Sequence, residues 1–172
     1  MQIRRAAPGD AADVAALHVA SWQAAYPGLL PQPVLDGLAP EQWAPRWTAT
    51  IGRAAWPCRG TLLALEADRV RGFVDLRPDA DDDAGGVGEI ASFYVHPASW
   101  STGVGQALMS AALRTFAAAG FTTAALWVLD GNTRAIRFYT RAGWTFDGTA
   151  RADVVGGETV HDRRMTRRLH ED

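Results

Sequence analysis

Apolar and polar positions fall into blocks along the chain, and the period of the pattern changes from block to block. Ile3 to Ala6 has the alternation of a short strand, and Pro8-Gly9-Asp10 follows as a turn whose aspartate suits the cap of a helix carrying Val14, Leu17 and His18. Between Trp22 and Trp56, the prolines at 27, 31, 33, 40 and 45 predict short helical pieces rather than one long helix, in a region dense in tryptophan. Thr61 to Glu66 and Val70 to Leu76 read as two extended runs joined at hairpin length by Ala67-Asp68-Arg69. Pro78 to Gly88 holds Asp79, Asp81, Asp82 and Asp83 among glycines and predicts an exposed, solvated loop. Glu89 to Val95 is a strand closed by Pro97, and Gly103 to Ala119 shows helical spacing at Val104, Leu108, Ala111, Ala112 and Phe116, with Gly120 as its stop. Thr122 to Leu129 predicts a buried strand and Asn132 to Arg141 a second helix stopped by Gly143. Trp144 to Ala150 and Thr159 to Leu169 then close the chain as strands around Val155-Gly156-Gly157. The resulting order is strand, helical region, three strands, helix, strand, helix, two strands: an α/β layout whose first half is mostly antiparallel.

Composition narrows the functional classes. A chain of 172 residues, 48% apolar and 21% charged, predicts one globular domain over 1–172. No apolar run approaches the roughly 18 residues of a spanning helix, and no greasy stretch follows the N-terminal arginines, so a cytoplasmic protein without signal peptide is expected and no membrane partner. Cys58 is the single cysteine and the four histidines are scattered, which gives no metal-ligand spacing. The formal charge of −2 and the dispersal of the basic residues speak against a nucleic-acid partner. All 17 basic residues are arginines, which removes the lysine of a nucleotide phosphate loop and the lysine of a Schiff base together.

The candidate chemistry begins where Tyr94-Val95 runs through His96-Pro97-Ala98-Ser99-Trp100 into Ser101-Thr102-Gly103-Val104-Gly105-Gln106. A helix that starts here presents unpaired backbone N–H groups and the positive end of its dipole, a site for phosphate, and glycines at 103 and 105 let the backbone come close. A dinucleotide-binding turn needs a third glycine, and position 108 is leucine. A second block lies at fixed distance downstream, with Asn132, Ala135, Ile136, Tyr139 and Gly143-Trp144.

On these two blocks the chain resembles the GCN5-related N-acetyltransferases, specifically over 89–144 and more weakly over 3–30, where Ser21-Trp22-Gln23-Ala24-Ala25-Tyr26-Pro27-Gly28 is similar to one bacterial branch. The resemblance implies a central mixed, mostly antiparallel, splayed sheet of six or seven strands flanked by about four helices. It implies acetyl-CoA as co-substrate, with pyrophosphate on the turn from Ser101 to Gln106. The pantetheine arm would lie between strands 89–95 and 122–129, using backbone groups near Tyr94 and Val95 and the side chain of Asn132, which is equally suited to be a helix N-cap. Trp100 is a departure, since the family usually has Arg or Gln there.

Direct attack by an amine needs a proton acceptor, and the resemblance assigns Glu89 that role through water. It assigns Tyr139 as the acid beside the departing thiolate, and the Val95 N–H as donor to the oxyanion. Trp22 and Tyr26 are expected to wall the acceptor pocket, by their π faces or simply as packing. His18 and His96 are left outside the site. The leading expectation is acetyl transfer to a primary amine of a small molecule. A protein N-terminus or lysine, or a silent acyl-CoA sensor, are the alternatives, and a homodimer is expected from the resemblance.

Overall fold

The computed structural model describes residues 1–169. Seven strands form one sheet in the order β1-β2-β3-β4-β5-β7-β6, made of Gln2–Arg5, Gly60–Glu66, Arg69–Pro78, Val87–Val95, Thr123–Leu129, Thr145–Val155 and Glu158–Arg168 in chain order. Five helices accompany it: α1 (Ala11–Ala25), α2 (Gln32–Asp36), α3 (Pro40–Gly52), α4 (Val104–Ala118) and α5 (Thr133–Arg141). Every ladder is antiparallel except β4 with β5. The mixed, mostly antiparallel sheet of the resemblance is therefore present, with one short helix more than expected.

Strand alternation sends side chains to two different cores. Leu62, Val74, Leu76, Ile90, Leu126 and Met165 pack under Leu108, Ala112 and Phe116 of α4. Leu63, Leu65 and Phe73 face the opposite way, against Val14 and Leu17 of α1 and Trp47 and Ile51 of α3. β2 is apolar at nearly every position because both of its faces are covered.

Four local expectations are corrected. Helix α3 runs through Pro45, although an interior proline removes a hydrogen bond and costs about 3 kcal/mol. Burial of Trp47 and Ile51, 5% and 2% exposed, offsets that cost, since each such side chain contributes roughly 1.5–3 kcal/mol. The β2–β3 connection is a two-residue turn with positive φ at both Ala67 (48°) and Asp68 (61°), the primed geometry that matches strand twist. Asp10 stands at the N-cap of α1, but its side chain makes no capping hydrogen bond. Its carboxylate holds the Arg4 guanidinium at 2.7 and 2.8 Å and the Ala7 N–H at 2.8 Å.

The aspartate-rich segment is likewise not a purely solvated loop. Asp79 is buried and ion-paired with Arg164 of β7, and Asp82 accepts from the Val87 N–H at 2.7 Å. These contacts fix the entry of β4, which begins at Val87, ahead of the predicted Glu89.

Gly88, next to the candidate base, is fixed by packing. A Cβ there would lie 2.5 Å from the Phe116 ring, which is fully buried. Gly88→Ala is expected to cost about 1–3 kcal/mol, read as a fall in Tm of several degrees; an unchanged Tm would show that the ring moves aside freely.

Candidate active site

The site is created where β4 and β5 part. They pair in parallel from Val87↔Thr123 to Ile90↔Leu126 and no further. On the other side of β4 the register jumps from Leu76↔Ile90 to Asp75↔Ser92, so Ala91 is an extra residue on β4. Such a bulge bends the strand and increases its twist, which swings the end of β4 away from β5. The His96 N–H donates to the Arg71 carbonyl at 2.8 Å. By strand alternation the backbone of Tyr94 also faces β3, while the N–H groups of Phe93 and Val95 point into the gap.

The gap opens into a cavity of about 940 Å³, bordered among others by Phe93, Tyr94, Val95, Asn132 and Tyr139. The Val95 carbonyl is already engaged, accepting from Trp100 Nε1 at 2.8 Å and from Ser21 Oγ at 3.4 Å. The sequence-based expectation is thereby refined. Free backbone groups lie at Phe93 and at the Val95 N–H, whereas Tyr94 contributes only its side chain.

At one end the gap meets the start of α4. Ser101 (φ 63°) and Gly103 (φ 92°) are both left-handed, and Gly103 stands at the N-cap without any side-chain cap. The first intrahelical bond is Ala107 N–H to the Gly103 carbonyl at 3.1 Å, so the amides of Val104, Gly105 and Gln106 have no helical partner. Ser101, Gly103, Gly105 and Gln106 border the cavity. Thr102 and Val104 do not: the Thr102 hydroxyl donates to the Ser99 carbonyl at 2.8 Å, and the Val104 side chain is in the core. Any contribution from these two is through their backbone. The two glycines serve different ends, since Gly103 supplies the positive φ and a Cβ at Gly105 would stand 3.3 Å from the Phe138 ring of α5.

Trp100 has a structural account. Its Nε1 ties the turn to the end of β4, and its ring carries the Arg134 guanidinium from α5, 3.0 Å from the centroid. Burial lowers the pKa of Arg134 from the usual arginine range. A cation absent from position 100 in sequence is thus delivered beside the same turn from another helix.

Asn132 is the N-cap of α5, its Oδ1 accepting from the Ala135 N–H at 3.2 Å. That leaves its Nδ2 for the cavity it borders. Tyr139 is buried between Phe93, Phe138 and Trp144, and burial raises its hydroxyl above the ordinary tyrosine range.

A second cavity of about 600 Å³ lies on the α1/α3 face of the sheet and shares Tyr26, Ser92, Tyr94 and Trp127 with the first. Trp22 borders only this second chamber, and Tyr26 borders both. Glu89 also opens on it, with both carboxylate oxygens engaged by Arg77, Oε1 from Nη2 at 2.9 Å and Oε2 from Nε at 3.2 Å.

Two further chamber residues escaped the sequence. Asp75 stands opposite Ser92 in the β3–β4 ladder, and its Oδ1 accepts from Thr61 Oγ1 at 2.7 Å. Burial raises its carboxyl above the usual range, opposed by the Thr61 hydrogen bond and by Arg77 and Arg59. The alternating pattern of β3 places it on a chamber face, but only the fold shows that face to be a cavity. His18, set aside as a helix residue, stacks on Tyr94 with 4.8 Å between centroids and accepts from Trp47 Nε1 at 3.2 Å on its Nδ1. His96 is a loop residue as expected, its Nδ1 accepting from the Ala98 N–H at 3.2 Å.

A sheet split at its one parallel pair, with a glycine turn feeding a bare helix start at the mouth of the split, is the architecture of a GNAT-type acetyltransferase. The chain belongs to the acetyltransferase (GNAT) family, whose profile matches residues 21–144. It is similar to the uncharacterized N-acetyltransferase YuaI of Bacillus subtilis, 27% identical over 138 residues that span 80% of this chain and 76% of that protein. Among solved structures, the fold is shared with the paia N-acetyltransferase from Thermoplasma acidophilum in complex with coenzyme A, at TM-score 0.74 and 18% identity, covering 97% of this chain and 98% of that one. It is shared also with yncA from Salmonella typhimurium with its cofactor acetyl-CoA, at TM-score 0.73 and 21% identity, covering 100% and 95%. No helix among the described residues is long and apolar enough to cross a membrane.

The surroundings of His18 make a testable statement. Burial, with Arg46 adding to it, lowers its pKa to about 3, and the Trp47 donor requires a bare Nδ1. Because the folded value is depressed, the stability contributed by His18 is full above its unfolded value of about 6.5 and is lost as pH falls toward 3. NMR is expected to show one imidazole that stays neutral, with the proton on Nε2, from about pH 8 down to about pH 5; a titration midpoint inside that range would refute the assignment.

Proposed function

We propose that this chain transfers the acetyl group of acetyl-CoA to the primary amine of a small molecule by direct attack. The observation that carries the reading is the meeting of two cavities across the end of β4. One is an open strand gap ending on free helix amides, and the other is a separate chamber holding carboxylates. The complexes of similar folds with coenzyme A and acetyl-CoA support the first cavity as the donor site. The size of the second, about 600 Å³, suits a small molecule and favours it over a peptide groove.

In this reading the pyrophosphate rests on the amides of Gly105 and Gln106, with Arg134 supplying the nearby cation. The pantetheine arm adds to β4 through the Phe93 backbone and the Val95 N–H, and Asn132 Nδ2 donates to it. The acceptor enters from the other side, between Trp22 and Tyr26.

An amine with pKa near 10 costs about 4 kcal/mol to deprotonate at pH 7, which is the work asked of the base. Glu89 takes that proton through water. The nitrogen lone pair then attacks the thioester carbon, the Val95 N–H stabilises the oxyanion, and as the C–S bond breaks the second nitrogen proton passes through water to the departing thiolate. Tyr139 donates to the departing sulfur. Its hydroxyl is raised by burial, so full proton transfer to a thiolate with an ordinary value near 8.5 runs uphill, and its share is a hydrogen bond that holds charge as the bond stretches.

A second reading concerns the base alone. Arg77 engages both Glu89 oxygens, whereas Asp75 has one oxygen held by Thr61 and a raised proton affinity in the same chamber. Under this reading Asp75 accepts the proton and Glu89 anchors Arg77.

Tyr139→Phe is expected to lower kcat by roughly 10–100-fold, the worth of a hydrogen bond to a charged group, with the Kd for acetyl-CoA within about twofold. Equal activity would remove the role. Glu89→Gln is expected to lower kcat by about 10²–10⁴-fold, with partial recovery at high pH, where the amine is already neutral. If Asp75→Asn shows that profile and Glu89→Gln does not, the second reading stands.

The folded value of Asp75 is raised, so its contribution to stability is present below the ordinary carboxylate value of about 4 and is lost as pH rises through the folded value. Asp75→Asn is therefore expected to gain Tm relative to the parent protein at neutral pH and not at pH 3.5 or so. Equal differences at both pH values would refute the burial of a charge there.

A further inference from the structure

The second chamber carries a charge pattern that an amine alone does not explain. Five arginines border it, Arg46, Arg53, Arg59, Arg77 and Arg151, together with the carboxylates of Asp75, Glu89, Asp153 and Asp162. Two of the arginines are matched, Arg77 with Glu89 at 2.9 Å and Arg151 with Asp162 at 3.0 Å. Asp75 is held by Thr61 with Arg77 and Arg59 near enough to act on it electrostatically, and Asp153 accepts from the Val154 N–H at 2.8 Å. Arg46, Arg53 and Arg59 make no ion pair among the described residues.

These three cations are brought together by local structure. Arg46 lies on α3 and Arg53 is its C-cap, two turns further on and so on the same side of the helix. Ala55 and Arg59 then exchange backbone hydrogen bonds at 3.0 and 2.9 Å, which folds the chain back and places Arg59 at the entrance of β2. The result is a cationic wall on the α3 side of the chamber, with Arg46 close enough to His18 and Tyr94 to act on both electrostatically.

The aromatic residues of the chamber do not make it a cage for a ligand cation on that side. The face of Trp43 is taken by the Arg46 guanidinium, 5.3 Å from the ring centroid. A bare ammonium is repelled from such a wall, whereas a planar or tetrahedral oxyanion fits guanidinium forks and relieves the mutual repulsion of the three cations.

We propose that the acceptor carries an oxyanion, a carboxylate or a phosphonate, at the end opposite its amine, and that Arg46, Arg53 and Arg59 bind it. The acceptor is then an amino acid or aminophosphonate in chemical class, lying across the chamber with the anion on α3 and the amine at Tyr94. This rests on the acetyltransferase reading and goes beyond it by naming the acceptor's second charge.

The test measures thiol release from acetyl-CoA with ω-amino acids, the corresponding ω-amino amides and aminoalkylphosphonates as acceptors. Amino acids or aminophosphonates are expected to exceed the uncharged amides by at least about 10-fold in kcat/KM, the scale of one charge-assisted contact. The preferred class identifies which oxyanion is bound. In Arg59→Gln, at a half-buried position, and in the doubly substituted Arg46→Gln, Arg53→Gln, at two exposed ones, the preference is expected to fall toward one through a rise in KM. Amides equal to acids in the parent protein, or a preference untouched in both variants, overturns the proposal. If no amine releases thiol while calorimetry still shows acetyl-CoA binding, the acetyltransferase reading falls instead. Calorimetric titration with the same acids and amides then decides the anion site: tighter binding of acids, weakened in Arg59→Gln, sustains it, and equal or absent binding removes it.

Discussion

Four parallel residue pairs join β4 to β5, and the extra residue at Ala91 prevents a fifth. Much else in the molecule is arranged around that interruption. A strand whose backbone groups point into a gap leaves donors and an acceptor unmatched, and each such group shut away from water costs about 1–3 kcal/mol. An amide-bearing chain laid along β4, as proposed for the pantetheine arm, would remove that cost. The closed half of the pair is held by the core beneath it, where Ile90 and Leu126 pack under α4 and Gly88 admits the Phe116 ring. Rigid pairing on one side and open backbone on the other define the two ends of the gap.

The same strand separates two environments by alternation. Phe93 and Val95 pack toward α4 and α5, while Tyr94 turns to the α1/α3 face, where it stacks on His18. Glu89 and Asp75 open on that second face too. The two chambers therefore meet across one strand, and the proposed transfer between a donor in one and an acceptor in the other rests on that meeting. The β6–β7 hairpin borders the second chamber, and its tip packs so tightly on α2 that a Cβ at Gly156 would clash with Val34.

Charge in this protein is placed by tertiary structure more than by motif. Arg134 reaches the phosphate-type turn from α5 and lies on Trp100, so a position that looks like a lost contact in sequence is the platform for a cation from elsewhere. Arg77 clamps Glu89, a residue twelve positions away along the chain that is its direct neighbour across the β3–β4 ladder. Asp79, in a segment whose composition suggests solvent, is instead buried against Arg164.

What the sequence determined by itself was local: the periods that mark strands and helices, the glycine turn at 103 and 105, the capping aptitude of Asn132, and the spacing of two blocks that identifies the family. These are properties of a few neighbouring residues, and short-range sterics and hydrogen bonding decide them. It also placed the proline-rich segment correctly as helical, and erred on α3 because the burial that offsets Pro45 comes from Phe73 and Leu63 on distant strands. Only the tertiary structure decided the register slip at Ala91, the loan of Arg134 to the turn, the clamp on Glu89, and the entry of Asp75 and His18 into one chamber. Each of these depends on which strands become neighbours and on which face is covered, and those are set by packing over the whole chain rather than by any segment of it.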